Sequence, residues 1–172
     1  MKKITCSIIG CGRISEKHSS VLIKNLSTKY DLISVCDLNF DKAKKLGSRL
    51  SIPYFNNFNQ LIKFHKPNLA IILTESGNHY KDVIKISKYV KNIVVEKPLA
   101  LNLKDANNMI KSCKKNKAQL FLVKQNRLNP PIQKLKIAIE EKRFKKIFLV
   151  TTRVRWKRTQ QYYDQDNWRG TN

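Results

Sequence analysis

The chain has 172 residues, of which 35 are basic and 12 acidic, so its formal net charge is +23. That length suffices for one domain with a hydrophobic core but not for two full domains. No apolar run is long enough to cross a bilayer or to form a secretion signal, which excludes a membrane protein. The four cysteines lack CxxC or metal-ligand spacing, so we expect a reduced cytoplasmic setting and no metal site.

The positive charge is spread along the chain. Basic residues stand singly or in pairs, as in Lys44-Lys45 and Lys114-Lys115, without a long run or an interleaved aromatic platform that could stack bases. The charge therefore predicts no specific nucleic-acid site, although it would attract anionic substrates.

Strand and helix signals alternate along the first three quarters of the chain, a pattern typical of a parallel sheet covered by helices. The predicted strands are Ile4–Ile9, Leu32–Cys36, Pro53–Phe55, Leu69–Leu73, Ile93–Val95 and Ala118–Val123. The predicted helices are Arg13–Leu26, Asp41–Leu50, Phe58–Phe64, Asn78–Tyr89 and Leu103–Lys115. We predict an α/β fold, a Rossmann doubly wound parallel sheet, over residues 1–126.

The first strand ends in Gly10-Cys11-Gly12, and a helix follows at once. Such a turn presents bare backbone N–H groups at the positive end of the helix dipole, where a diphosphate can approach without meeting a Cβ. Ser15 occupies the third glycine position of this fingerprint, and Asp37 follows the second strand at the distance of an acid that binds an adenosine ribose. The negative charge of Asp37 disfavours a 2′-phosphate, so NAD is predicted rather than NADP; a helix N-cap role for Asp37 is the alternative.

The pattern changes after Asn126. A helix is predicted over Ile132–Glu141, and the alternation over Lys146–Trp156 predicts a long strand of a second, antiparallel sheet. A lone strand cannot bury its apolar face. Residues 127–172 are therefore predicted to begin an incomplete α+β substrate and oligomerisation domain, whose remainder is missing or supplied by another chain.

Three motifs in collinear order resemble the sugar oxidoreductases of the Gfo/Idh/MocA family. They are Gly10-Cys11-Gly12-Arg13-Ile14 with His18, Thr74-Glu75-Ser76-Gly77 with His79, and Glu96-Lys97-Pro98. Further segments resemble the bacterial UDP-N-acetylglucosaminuronic acid 3-dehydrogenases of this family, at 123–127, 129–131, 160–164 and 168–171. Family members continue into a domain that carries a catalytic histidine, so the resemblance implies that this chain is a truncated or split form.

The resemblance implies a role for each matching residue. The implied cofactor contacts are Gly10, Gly12, Arg13, Ile14, Asp37, Thr74, Ser76, His79, Glu96, Lys97 and Gln125. The implied substrate contacts are Lys97, Asn126, Arg127, Trp168 and Arg169. Lys97 would be catalytic, pointing at the reacting hydroxyl, with Glu96 near the nicotinamide ribose and Pro98 after a cis peptide bond. The residues alone leave open a helix cap at Ser76 or Asn78, a surface position for His79 and a packed structural role for His18.

The implied function is NAD-dependent oxidation of the sugar 3-hydroxyl of a UDP-N-acetylglucosaminuronate-like substrate, for lipopolysaccharide O-antigen synthesis. The implied partners are the nucleotide sugar and a complementing C-terminal chain, full-length relatives being homo-oligomers, with no membrane or specific nucleic acid. Two alternatives remain: a non-catalytic NAD(H)-binding module, such as a decayed or split enzyme half, and a basic nucleic-acid-binding protein on a Rossmann scaffold.

Overall fold

Six parallel strands form a single sheet in the first of two compact units, Met1–Val123 and Lys124–Asn172. The computed structural model describes residues 3–164. The strands are β1 (Ile4–Ile9), β2 (Tyr30–Cys36), β3 (Tyr54–Phe55), β4 (Leu69–Ile72), β5 (Asn92–Val95) and β6 (Gln119–Leu122). Their order across the sheet is β3-β2-β1-β4-β5-β6. The chain thus runs outward from β1 to one edge and returns to build the other half, which is the doubly wound topology predicted from the sequence.

Five helices of the first unit connect these strands. They are α1 (Arg13–Ser20), α2 (Phe40–Leu50), α3 (Phe58–Phe64), α4 (His79–Ile86) and α5 (Leu103–Lys115). Asparagine side chains cap three of them: Asn39, Asn57 and Asn102 accept hydrogen bonds from backbone N–H groups of the first turns of α2, α3 and α5. These caps satisfy donors that a helix start otherwise leaves unpaired.

The core lies on both faces of the sheet because adjacent residues of a strand point in opposite directions. In β1, Ile8 belongs to a buried cluster with Leu46 of α2, whereas Ile9 belongs to a second cluster with Ile86 of α4 and Met109 of α5. Helices therefore cover both faces of the sheet. This explains the continuous apolar character of the central strands.

One predicted helix differs in form. The segment predicted as the single helix Arg13–Leu26 is α-helical only to Ser20 and continues as a π-helical turn over Val21–Asn25. Local π-helical widening adds a residue to the turn without ending the helix, and the hydrophobic period used for the prediction does not distinguish the two forms.

The second unit contains a 3₁₀ turn (Gln125–Leu128), α6 (Pro130–Glu140) and the short α7 (Gln160–Asp164). The prediction of a strand over Lys146–Trp156 is wrong for the described residues, since that segment pairs with no other strand within 3–164. Its side chains are open to solvent, with Phe148 84% and Leu149 83% exposed. Alternation describes a segment suited to a sheet, but a strand exists only where a neighbour supplies the backbone hydrogen bonds. The predicted domain boundary at 126/127 stays a prediction.

No helix within residues 3–164 combines the length and apolar character needed to cross a membrane. Within the same residues, no three His, Cys, Asp or Glu side chains are grouped to hold a metal ion. The four cysteines are all free, and three of them are buried.

Candidate dinucleotide-binding site

The predicted site residues of the first unit follow neighbouring strands at one edge of the sheet. The Gly10 N–H donates to Cys36 O at the end of β2 (2.8 Å), and the Leu73 N–H donates to Ile9 O at the end of β1 (2.7 Å). These bonds place the loops after β1, β2 and β4 side by side at the carboxyl ends of the strands. In open α/β sheets this edge, near the reversal of strand order, is where ligands bind.

The two glycines of the first loop serve different purposes. Gly10 has φ +98°, and a Cβ built on it would lie 2.6 Å from the backbone atoms Leu73 C and Thr74 N. Gly12 is the N-cap of α1, and a Cβ there would meet no atom within 4 Å. Gly10 is therefore required by the fold, whereas the space beside Gly12 is open, as the approach of a diphosphate to the helix start requires.

Asp37 lies beside this turn and orders it. Its Oδ2 accepts a hydrogen bond from the Cys11 N–H (2.7 Å), and its Oδ1 accepts one from the Asn39 N–H (2.8 Å). Asn39, not Asp37, caps α2, so the alternative N-cap role of Asp37 is not observed. An ionised carboxylate has about four acceptor positions. Two remain for the two hydroxyls of a ribose.

The loop after β4 carries Thr74 and Ser76, both partly exposed. The Thr74 hydroxyl donates to Asp82 Oδ2 in α4 (2.7 Å). Burial raises the pKa of Asp82, an effect that the hydrogen bond from Thr74 opposes. The hydroxyl of Thr74 is thus committed to fixing its own loop against α4, and Ser76 is the more available polar side chain.

His79 is not on the surface. It is the first residue of α4, is 1% exposed, and has both ring nitrogens within hydrogen-bond distance of backbone carbonyl oxygens. The resemblance implies that His79 contacts the cofactor directly. Because the side chain is almost completely buried, little of its surface is open to such a contact. The alternative of an exposed first-turn residue is wrong.

Glu96 and Lys97 follow β5, next to the loops already described. The Glu96 N–H donates to Ile72 O of β4 (3.0 Å), and the Lys97–Pro98 peptide bond is cis, as the resemblance implies. Lys97 is exposed, and within residues 3–164 its one hydrogen bond is made by the backbone N–H and none by the amine. The side chain is therefore available to a ligand at this edge of the sheet.

The Glu96 carboxylate is 8% exposed as a residue and engages two donors. Its Oε1 lies 2.9 Å from His18 Nε2 of α1, and its Oε2 accepts from the Lys97 N–H (3.0 Å). Burial alone would raise the pKa of Glu96, but the hydrogen bonds and charges of His18 and Lys97 outweigh it and hold that pKa below its ordinary value of 4.5. His18 is partly buried and engaged with Glu96, and the structural role left open for it stays a prediction.

The remaining predicted residues lie in the second unit. Gln125, Asn126 and Arg127 form the 3₁₀ turn and are exposed. Their roles toward cofactor and substrate stay predictions, as do those of Arg13 and Ile14, which are exposed in the first turn of α1. Trp168 and Arg169 lie outside the described residues.

Sequence reasoning missed two links in this region. It did not single out Asp82, and it did not pair His18 with Glu96, 78 positions apart. The sequence signal for this pair was only that His18 lies in the helix after the glycine motif and that Glu96 directly precedes Lys97. Pairing them required the tertiary structure, in which the side chain of His18 reaches from α1 to Glu96 at the end of β5.

The fold and this arrangement define an NAD-type dinucleotide-binding α/β domain. Residues 4–124 match the family model described as an oxidoreductase family with an NAD-binding Rossmann fold. The chain belongs to this family, Gfo/Idh/MocA. The predicted family, Rossmann fold and NAD cofactor are confirmed.

Solved structures include close neighbours of the chain. The WlbA dehydrogenase of Bordetella pertussis, in complex with NADH and UDP-GlcNAcA, is 33% identical with a TM-score of 0.94, over 98% of this chain and 51% of that one. The WlbA dehydrogenase of Chromobacterium violaceum, with the same ligands, is 36% identical with a TM-score of 0.95, over 99% and 49%.

Among curated relatives, the myo-inositol 2-dehydrogenase of Thermotoga maritima is 29% identical over 136 residues, which are 77% of this chain and 40% of that protein. The chain therefore spans about half the length of its solved neighbours and less of this relative.

Proposed function

We propose that this chain is the NAD-binding part of a cytoplasmic oxidoreductase of nucleotide-sugar metabolism, acting on the 3-hydroxyl of a UDP-N-acetylglucosaminuronate-like sugar in lipopolysaccharide synthesis. The observation that carries the proposal is that Lys97 follows β5 at the same carboxyl edge of the sheet as the glycine turn after β1 and Asp37 after β2. The likeness to two WlbA dehydrogenases, at 33% and 36% identity over nearly the whole chain, supports the substrate class.

Three groups of this chain would perform the binding and proton steps. The N–H groups at the start of α1, next to Gly12, would donate to a diphosphate, and the two unused acceptor positions of Asp37 would take the hydroxyls of a ribose. NAD, when bound, supplies a nicotinamide ring that accepts a hydride. The Lys97 amine would bind the hydroxyl of the sugar and take up or relay its proton as oxidation proceeds.

Glu96 serves the same step without touching the sugar. Its carboxylate holds the Lys97 N–H and His18 together, which fixes the backbone from which the lysine side chain extends. Removing Lys97 should therefore abolish proton transfer but leave the dinucleotide contacts in place.

The experiment is a titration of the purified chain with NADH, followed by fluorescence and by the shift in Tm. We expect saturable binding, and we expect Lys97→Ala to retain NADH affinity within about twofold because it removes no contact to the diphosphate or the adenosine ribose. Absence of both fluorescence enhancement and thermal shift for the wild-type chain would refute the proposal.

A non-catalytic NAD(H)-binding module is the second candidate, favoured by the match of residues 4–124 to a family model described by its NAD-binding fold. Turnover separates the two functions. UDP-N-acetylglucosaminuronic acid and NAD are incubated with the chain alone, and with the chain plus any protein encoded directly downstream. NADH formation that Lys97→Ala abolishes supports the oxidoreductase, whereas binding without turnover in both assays supports the module.

A further inference from the structure

His79 is the most buried ionisable side chain of the site region that the mechanism above does not use. It is 1% exposed, at the first residue of α4. Its Nδ1 lies 2.7 Å from Pro98 O, and its Nε2 lies 2.9 Å from Thr74 O. One ring therefore bridges the loop after β4 and the loop after β5.

The number of protons on the imidazole ring of His79 determines whether both contacts can be hydrogen bonds. Carbonyl oxygens only accept hydrogen bonds, and a neutral imidazole carries a single N–H, so one of the two contacts would place two lone pairs face to face. Only an imidazolium donates to both oxygens. Asp82, one turn further along α4, accepts a hydrogen bond from the hydroxyl of Thr74 and so holds the same loop.

We infer that His79 is a positioning residue that, as an imidazolium, ties the Thr74 loop to the Pro98 loop and so holds Lys97 in place. Pro98 is the residue after Lys97, and Glu96, the residue before it, is held by His18 of α1. The backbone of Lys97 is thus restrained on both sides by histidines from two different helices. This inference deepens the proposed function and rests on it.

The bridge also has a consequence for binding. If the two loops adopt their joined arrangement only part of the time, the affinity for any ligand that touches both falls by that fraction. Under the proposed function, NADH would extend from the glycine turn to the backbone of the loops after β4 and β5, so its affinity would be affected. ADP, which occupies only the adenosine and diphosphate half of the site, would not.

The first test needs no substitution and no cofactor. The ring nitrogens of His79 in ¹⁵N-labelled protein are observed by NMR at pH 7, with His79→Gln used to assign the signals. We expect both nitrogens to be protonated. A neutral ring with one protonated nitrogen would overturn the inference, whether or not the protein binds NADH.

The second test compares three variants by NADH and ADP titration. His79→Phe keeps the ring volume and removes both donors, whereas His79→Asn and His79→Gln each keep one donor, near the Nδ1 and Nε2 positions respectively. We expect His79→Phe to weaken NADH binding about tenfold and ADP binding less than about twofold, with intermediate losses for the single-donor variants.

Equal losses of NADH and ADP affinity would indicate general damage and overturn the positioning role. Wild-type NADH affinity in His79→Asn or His79→Gln would overturn the need for two donors. If His79→Phe does not fold, these two variants and the NMR measurement still decide the question. A wild-type chain that binds neither ligand refutes the proposed function instead, and the protonation of His79 is then judged from the NMR result alone.

Discussion

Gly10→Ala tests the geometry of the glycine turn most directly. The new Cβ would lie 2.6 Å from Leu73 C and Thr74 N, both backbone atoms that cannot rotate away, at a φ of +98°. The backbone strain costs about 1–2 kcal/mol, and forcing the β1 and β4 loops apart costs about 1–3 kcal/mol. The sum is about 2–5 kcal/mol, which for a protein of this size lowers the Tm by roughly 5–20 °C.

Gly12→Ala is the matched control, two residues away in the same turn. Gly12 has φ −75° and ψ −172°, which any residue adopts, and its Cβ would meet no atom within 4 Å. The Tm should stay within about 2 °C or rise slightly, because alanine restricts the unfolded chain. NADH affinity should nevertheless fall about 10- to 100-fold, the equivalent of losing one charge-assisted hydrogen bond to the diphosphate.

Both variants are measured by thermal unfolding followed by circular dichroism and by NADH fluorescence titration. The discriminating result is a clearly lowered Tm in Gly10→Ala beside a nearly unchanged Tm with lowered NADH affinity in Gly12→Ala. A Tm for Gly10→Ala within about 1 °C of wild type would refute the contact argument, and undiminished NADH affinity in Gly12→Ala would refute the placement of the diphosphate at the start of α1.

Three further outcomes are expected. Asp37→Asn removes a negative charge next to the ribose position and should raise the ratio of NADPH to NADH affinity about tenfold in parallel titrations; an unchanged ratio contradicts this role. Because the pKa of Glu96 is lowered on folding, its carboxylate stabilises the protein above pH 4.5, and this contribution is lost as the pH falls through the lower folded value. Glu96→Gln should lower the Tm at pH 7 by roughly 5 °C and flatten its decline in acid; parallel curves of Tm against pH refute this. Burial is the main cause that raises the pKa of Cys6, Cys11 and Cys36 to about 12, so alkylation of the native protein at pH 8 should be roughly a thousandfold slower than in denaturant; comparable rates exclude this account.

Much of the first unit could be predicted because its signals are local. Each predicted strand from Ile4–Ile9 to Ala118–Val123 overlaps an observed one, since turn residues and apolar runs are written in consecutive positions. Lys146–Trp156 shows the limit of the same reasoning: its alternation is real, but no segment within residues 3–164 pairs with it. Alternation of apolar and polar residues indicates that a segment is suited to a β-sheet. Whether it forms a strand depends on a second segment that supplies the backbone hydrogen bonds.

The amino-acid order alone determined the glycine turn, the acid after the second strand and the lysine after the fifth, because each belongs to a short strand-to-loop junction whose residues are neighbours along the chain. The tertiary structure alone decided that His79 lies inside, between Thr74 and Pro98, and that His18 meets Glu96. These contacts follow from the order β1-β4-β5 in the sheet. That order places α4 against β5, and the side chain of His18 reaches from α1 to Glu96 at the end of the same strand. Hydrogen bonds shorter than 3 Å form only between groups that such packing brings together.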